Sequence, residues 1–344
     1  MKFSIGYQLP DERDSTEEIC RDFAPYVSNV YFSLADDPSG RSPLVDPSDA
    51  DGVEAVRQYQ IEELRRIHEM GISLTLLLNA NCYGGAAVSM ELRDRTIEKV
   101  KILQERVGIS RVTTTSPFLA EQLRRTFADS LQIVASVNMR VGTVQAMAQL
   151  SGMFDGFYLQ KEQNRNLETV QALKEWCDAH GKRLYLLANS GCLAYCGFQT
   201  FHDNLVAHES ELMQRENVSD GFPAPCWKYL HGLPQEDALT TFLQGSWIRP
   251  EEVRFYEPYV SEMKLATRMH SRPRMVLAAY VRGRFTGNVM DLTEPSYSPL
   301  FRGTILDPMR FPEDWGTHAL HCTHNCETCG FCRRVAQQAA VSIF

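Results

Sequence analysis

The fold is indicated by residues 111–137, which have the sequence RVTTTSPFLAEQLRRTFADSLQIVASV. Two short runs rich in β-branched residues, Arg111–Thr115 and Gln132–Val137, flank a stretch whose apolar residues recur every three or four positions. Pro117 stands near the start of that stretch, where proline favours the first turn of a helix. The pattern predicts a strand, a helix over Pro117–Phe127 and a second strand.

The same alternation extends through much of the chain. Further predicted strands are Phe3–Tyr7, Val27–Leu34, Ser73–Leu78, Gly156–Gln160, Arg183–Ala188 and Glu262–Thr267. Further predicted helices are Val56–Met70, Met90–Val107, Thr143–Leu150, Leu167–His180 and Pro273–Arg284. So many strand–helix repeats favour a parallel sheet that closes on itself. We therefore predict an α/β protein with a (β/α)8-like TIM-type barrel.

Two segments interrupt this pattern. An insertion of about residues 191–245 separates the seventh and eighth predicted strands, and the last sixty or so residues carry several prolines and then four closely spaced cysteines. We predict a barrel unit over residues 1–285 that includes the insertion. Residues 286–344 are predicted to form an irregular, cysteine-rich C-terminal extension that ends in a short helix from Arg333.

Charge and hydropathy narrow the class of protein. The chain has 344 residues and a formal net charge of −8, and an acidic surface repels the phosphates of a nucleic acid. No apolar run approaches the roughly 18 residues of a membrane span, and the first residues do not resemble an export signal. These features predict a cytoplasmic protein that binds no membrane, and they disfavour nucleic acid as a partner.

Four cysteines near the C-terminus form the strongest motif, Cys322-x3-Cys326-x2-Cys329-x2-Cys332. The cytosol keeps thiols reduced, so clustered cysteines there indicate metal ligation rather than disulfides. A [4Fe–4S] cluster and a zinc ion use the same thiolate donors, and both remain open for this motif. The first three cysteines also match the spacing of radical SAM enzymes, but that motif belongs after the first barrel strand.

A second group of cysteines follows the seventh predicted strand. Cys192 and Cys196 lie four residues apart, and Cys226 follows at the end of a polar excursion. Barrel enzymes have their sites at the C-terminal ends of the strands, so these thiols are expected at the barrel mouth, where they could bind three irons of a cluster. Unligated buried cysteines are the alternative. Cys20 and Cys177 lie in helical patterns and are interpreted as small buried apolar residues.

Polar residues at the predicted strand ends are candidates for ligand binding. The residues predicted to orient a ligand are Asn79, Asn138, Gln160 and Asn189. Lys264 and Arg268 are predicted to bind anionic groups, with Arg268 as a fork for a carboxylate. His202 is a candidate acid or base, and because neighbours on a helix point about 100° apart it is not expected to pair with Asp203. For each residue alone, a capping or loop role is the alternative.

Over about residues 1–285 the chain resembles the peptidase U32 family. The segments that carry the resemblance are Leu159–Glu162, Asn189–Cys196, Ala224–Tyr229 and Met263–Arg268. The resemblance implies a barrel with a [4Fe–4S] cluster bound by four cysteines. Characterised members include oxygen-independent hydroxylases that act in ubiquinone biosynthesis or on tRNA and rRNA bases, with prephenate as the source of oxygen. Earlier members were described as collagenase-like proteases.

Two departures from the family pattern bear on the site. The family's fourth cysteine is expected near Ser246–Ile248, where this chain has none, so Cys82, a tail cysteine or no residue supplies that ligand. In the eighth-strand motif, Ala266 and Thr267 replace Glu-Gly, which puts a conventional substrate site in doubt. The tail could complete the first cluster, hold a second cluster or bind zinc as a structural knuckle.

These observations lead to a functional expectation. The first hypothesis is an iron–sulfur oxidoreductase that hydroxylates a small or ring-containing substrate, with a prephenate-type co-substrate, one or two [4Fe–4S] clusters and an electron donor. The alternative is a non-catalytic electron-relay subunit that works with a related U32 partner. A U32 protease is least favoured, because the sequence contains no recognisable pairing of a nucleophile with a base.

Overall fold

A closed barrel of eight parallel strands forms the body of the protein. The computed structural model describes residues 1–10, 14–34, 50–208, 212 and 224–343. The barrel strands are β1 (Lys2–Gly6), β2 (Val27–Phe32), β3 (Ser73–Leu78), β4 (Arg111–Thr114), β5 (Gln132–Ala135), β6 (Gly156–Tyr158), β7 (Arg183–Leu187) and β8 (Glu262–Lys264). Pairing of β1 with β8 closes the sheet. The predicted (β/α)8 barrel is confirmed.

Most of the predicted strands extend too far at their C-terminal ends. The fifth strand ends at Ala135 rather than Val137, because the hydroxyl of Ser136 accepts a hydrogen bond from Asn138 N at the start of a short 3-10 turn. The eighth strand ends at Lys264 rather than Thr267. At the mouth of the barrel the backbone turns from strands into loops. Strand pairing therefore stops there, although the apolar pattern of the sequence continues for one to three residues.

Helices surround the barrel and also form the insertion and the tail. In the described residues they are α1 (Thr16–Asp22), α2 (Ala50–Glu69), α3 (Met90–Val107), α4 (Pro117–Phe127), α5 (Val144–Leu150), α6 (Leu167–Ala179), α7 (Gln199–Ala207), α8 (Pro225–His231), α9 (Gln235–Leu243), α10 (Pro273–Arg282), α11 (Trp315–Leu320), α12 (Cys326–Cys329) and α13 (Phe331–Ala339). Helix α1 contains Cys20, which lies in a helical pattern of the sequence for which no bounds were predicted. Ser15 and Glu18 start it with a capping box.

The barrel core lies between the strands and the helices. Helix α2 contributes Ile61, Leu64 and Ile67, which are buried in one cluster with barrel residues such as Leu76. Each such side chain stabilises the fold by about 1.5–3 kcal/mol. None of the helices in the described parts of the chain has both the length and the apolar character that a bilayer span requires.

A second core joins the insertion to the tail. Leu239 and Phe242 of α9 are buried in one cluster with Trp315 and with Val335 of α13. Strands β9 (Thr304–Leu306) and β10 (Ala340–Ser342) pair antiparallel within the tail. The tail therefore has more regular structure than its prolines suggested. The division at residues 285 and 286 stays a prediction.

Candidate functional site

A cavity of about 100 Å³ opens at the C-terminal ends of the barrel strands, and we call it the mouth cavity. Its lining includes five residues that the sequence analysis proposed for the site: Asn79, Asn138, Cys192, Lys264 and Arg268. These residues lie at or after the C-terminal ends of four strands, β3, β5, β7 and β8, and the ends of parallel barrel strands meet at one rim. The side-chain oxygens of Asn79 and Asn81 are buried there and accept no hydrogen bond within the described residues.

Two cations of the mouth cavity are held by neighbouring side chains. The ammonium of Lys264 lies 3.9 Å from the ring centroid of Tyr31 and 5.0 Å from that of Tyr158. Aromatic faces attract a cation at these distances. Arg268 Nη1 donates a hydrogen bond of 2.7 Å to Ser33 Oγ, which orients the guanidinium. Both positive groups can therefore attract an anionic ligand.

A buried ion pair between Lys161 and Glu162 also lines the mouth cavity. Lys161 Nζ lies 2.8 Å from Glu162 Oε1 and also donates to Leu193 O, while Tyr195 N donates to the same carboxylate oxygen. Burial alone would raise the pKa of Glu162, but the ammonium of Lys161 and these hydrogen bonds bring it below its usual value. Neither residue was predicted for the site, although the position of the pair after the sixth predicted strand was a usable signal.

The lining of the mouth cavity carries more cationic than acidic side chains. The cations are Arg140, Lys161, Lys264 and Arg268, and the carboxylates are Glu162, Asp203 and Glu294. This local excess of positive charge contrasts with the formal charge of −8 for the whole chain. A concave surface with this sign of charge concentrates anions, so the cavity suits a small anionic ligand.

Three residues that were predicted for ligand binding or acid–base chemistry do not line the mouth cavity. Asn189 is fully buried, and its amide bonds to Ala266 N, Ala266 O and Leu292 O, so it connects loops instead of facing the cavity. Gln160 packs against Gly142. His202 lies on α7 next to Asp203, but only Asp203 lines the cavity, as their angular separation on a helix implies.

The three cysteines of the insertion lie close together. Cys192 lines the mouth cavity, while Cys196 and Cys226 pack against the second core. Burial raises the pKa of Cys226, and Cys192 and Cys196 are near enough to raise it further. Cys82, the candidate for a fourth ligand, accepts a hydrogen bond from Gly84 N and does not line this cavity.

A second cavity, of about 350 Å³, lies in the tail, and we call it the tail cavity. It is lined by all four tail cysteines, Cys322, Cys326, Cys329 and Cys332. His318 Nε2 lies 3.4 Å from Cys329 Sγ, and His324 Nδ1 lies 3.9 Å from Cys322 Sγ. The proximity of His324 lowers the pKa of the Cys322 thiol. The cavity therefore collects soft donors of the kind that bind zinc or iron–sulfur clusters.

A single metal ion and a [4Fe–4S] cluster need their ligands in different positions. Within the described ranges, no three His, Cys, Asp or Glu side chains are grouped so that one metal ion could contact them all. In a [4Fe–4S] cluster each cysteine binds its own iron, so the sulfur atoms surround a volume. The four thiols that line the tail cavity are donors of the kind that such a cluster takes.

Comparisons with known proteins bear on the family. No protein-family model matches the chain. An uncharacterized protease of Methanocaldococcus jannaschii is 22% identical over 311 residues, which is 88% of this chain and 85% of that protein. The solved structure of a U32 peptidase matches with a TM-score of 0.53 at 14% identity, over 77% of this chain and 92% of that one, and shows a shared fold. Together with the U32-like motifs described above, these matches support the assignment of this chain to the peptidase U32 family.

Proposed function

We propose that this chain is a [4Fe–4S]-dependent enzyme of the U32 type that hydroxylates a small, anionic or ring-containing substrate without O2. One observation above all supports the proposal. Cys192, a candidate cluster ligand, and the cations Lys264 and Arg268 line the same mouth cavity. A redox centre and an anion-binding surface are the two parts that such a reaction needs next to each other.

The lining of the mouth cavity suits an oxygen donor of the prephenate class. Such a donor carries two carboxylates and a hydroxyl group. Lys264 and Arg268 would bind the carboxylates by charge-assisted hydrogen bonds. The side-chain oxygens of Asn79 and Asn81, which accept no hydrogen bond within the described residues, would accept one from the hydroxyl. The cavity volume of about 100 Å³ favours a small molecule over a folded RNA.

Hydroxylation without O2 moves electrons away from the substrate, and an iron–sulfur cluster can carry them. The C–O bond of the donor would break as its ring carboxylate leaves as CO2, which releases the hydroxyl as hydroxide. Addition of that hydroxide to the substrate in place of a C–H hydrogen would release a proton and two electrons, so the reaction also needs a protein electron acceptor. A cluster held by Cys192, Cys196 and Cys226 would supply one-electron transfer to that acceptor. The chain's own contribution is to bind and orient the anions, through the aromatic faces around Lys264 and the hydrogen bond from Arg268 to Ser33.

The test begins with anaerobic purification, followed by iron and sulfide analysis and EPR of the reduced protein. Cys192→Ala should lose about four irons, the content of one cluster. Cys177→Ala is the matched control, because Cys177 is fully buried in the barrel core beside Met147. The same loaded protein should bind prephenate at least tenfold more weakly after Lys264→Met, and equally well after His202→Ala. Wild-type protein without iron, or full iron in Cys192→Ala, would contradict the proposal.

One contact favours a second function, thiol-dependent hydrolysis. Cys329 Sγ lies 3.4 Å from His318 Nε2, the kind of contact by which a base activates a thiol. The relative in Methanocaldococcus jannaschii is named a protease. Hydrolysis is the second choice, because Cys329 shares the tail cavity with three further cysteines, as a metal ligand would. Peptide cleavage by metal-free protein that disappears in Cys329→Ala would reverse this order.

A further inference from the structure

Arg165 is a buried cation on the wall of the tail cavity. It ends the 3-10 turn Lys161–Arg165 and is 3% exposed. Its guanidinium donates hydrogen bonds to Leu243 O at 2.7 Å and Trp247 O at 3.3 Å. It also lies 5.5 Å and 5.2 Å from the ring centroids of Trp247 and Trp315. Its Nε is buried and has no hydrogen-bond partner within the described residues.

The charge of Arg165 is not balanced by a direct ion pair. Among the described residues, no carboxylate lies within 4.0 Å of its guanidinium nitrogens. Glu252 is near enough to feel its charge, but that carboxylate pairs with Arg249 instead. Arginine stays protonated in proteins, and a buried charge without a counter-charge is costly. The missing negative charge is therefore expected in the cavity that Arg165 lines.

We propose that Arg165 is the built-in counter-charge of an anionic [4Fe–4S] cluster bound by the four cysteines of the tail cavity. Four thiolates outweigh the net positive charge of the core of four irons and four sulfides, so such a centre is negative overall, as a zinc ion with four thiolates would also be. All four thiols line one cavity of about 350 Å³, which leaves room for a group larger than a single ion. Reduction adds one more negative charge, so a buried guanidinium at this place favours the reduced state and raises the reduction potential.

This inference rests on the proposed function and extends it, because one short turn borders both cavities. Lys161 and Glu162 line the mouth cavity, whereas Arg165, at the other end of the same turn, lines the tail cavity. Cys322 N donates to Arg165 O at 3.1 Å, which attaches the cysteine-bearing segment directly to the turn. A cluster in the tail cavity would therefore lie next to the substrate site.

Two further features fit a relay between the mouth cavity and the surface. Tyr195, whose amide donates to Glu162, meets the ring of His324 edge-on at 5.1 Å between centroids. His324 in turn lies 3.9 Å from Cys322 Sγ. On the outer side, Cys326 and Cys329 are exposed, so an electron-transfer protein could approach the tail centre.

The test uses EPR-monitored redox titration of anaerobically purified protein that carries Cys192→Ala, so that only the tail centre contributes. In this background, Arg165→Met should lower the midpoint potential by at least 59 mV, a tenfold change for one electron. Arg165→Lys should restore most of the shift. Arg333→Met is the matched control, because Arg333 lines the same cavity but is half-exposed and pairs with Glu236 and Asp237. It should shift the potential far less.

Several outcomes would overturn the inference. Zinc in place of iron would exclude the cluster, and equal potentials in Arg165→Met and Arg333→Met would exclude the counter-charge. If Arg165→Met does not fold, Arg165→Gln allows the same comparison, because its amide can still donate to the backbone carbonyls. A failure of the proposed function would give a different set of results from a failure of this inference. Wild-type protein would then carry only the tail cluster, Cys192→Ala would lose no iron, and the effect of Arg165 would persist.

Discussion

At the scale of single residues, Gly191 decides how closely the cysteine-bearing loop approaches the tail. Its amide donates to Glu294 O at 2.9 Å. A Cβ atom added at this position would lie 2.1 Å from Pro295 O and 3.0 Å from Thr293 Oγ1. The first of these neighbours is backbone, which cannot turn away as a flexible side chain could. The position of Cys192, the next residue, therefore depends on the absence of a side chain at Gly191.

Gly191→Ala should displace this loop. We expect the free energy of unfolding to fall by about 1–3 kcal/mol, as overpacking of a well-packed site does, and the iron content to fall with it. Gly197→Ala is the control in the same segment, since apart from the chain neighbours no atom of the described residues lies within 4 Å of the Cβ it would add. Urea unfolding and iron analysis of both variants check this. Equal behaviour of the two variants would show that the close contact with Pro295 does not constrain the loop.

At the scale of elements, the 3-10 turn Pro250–Phe255 attaches the barrel to the tail. Glu252 is buried in this turn, accepts a hydrogen bond from Arg249 N and packs against Gly316 of α11. Burial raises the pKa of Glu252 to about 7; Arg249 opposes this shift and Glu251 adds to it. The folded protein therefore disfavours the ionised carboxylate at the junction with the tail.

This pKa predicts a pH dependence of stability. Between the usual glutamate value of 4.5 and about 7, the folded protein binds more protons at Glu252 than the unfolded chain, so stability falls as the pH rises through this window. The loss across this window would be about 3 kcal/mol, at 1.36 kcal/mol per pKa unit. Glu252→Gln should remove it, so the variant should gain on the wild type from pH 5 to pH 8 in urea unfolding. Glu313→Gln, at an exposed tail position, should run parallel to the wild type.

At the scale of the whole molecule, the tail depends on the insertion for its packing. Phe242 of α9 is 1% exposed and stacks on Trp247, with ring centroids 5.2 Å apart. Trp247 stacks in turn on Trp315 of the tail at 6.2 Å. This aromatic series also borders Arg165, so the second core and the tail cavity share residues.

Phe242→Ala should loosen the tail before the barrel. The cavity it leaves should cost about 3–5 kcal/mol, and limited proteolysis with mass spectrometry should show faster cleavage within residues 286–344. Phe154→Ala is the control, because Phe154 is fully buried in the barrel core and absent from the second core. It should lower stability without selective cleavage of the tail. Equal cleavage patterns would mean that the tail does not rely on α9.

The candidate site could be predicted only in part. Asn79, Asn138, Lys264 and Arg268 were found because parallel strands bring their C-terminal ends to one rim. Asn189 met the same rule, yet its amide is bound to Ala266 and to Leu292, a residue far along the chain. Contacts between distant loops leave no periodic signal in a sequence, so the rule could not separate the two cases.

By itself the sequence determined the barrel, its strands and most of its helices. Burial on one face gives the helices apolar residues every three or four positions, and burial on both faces gives the strands short continuous apolar runs. Both patterns are local in the sequence. The tertiary structure alone decided which polar groups share a cavity, that Lys161 and Glu162 form a buried pair, and that Arg165 faces the tail cysteines. These relations depend on loops that bring together residues from β6, the insertion and the tail, and no short-range pattern records such distances.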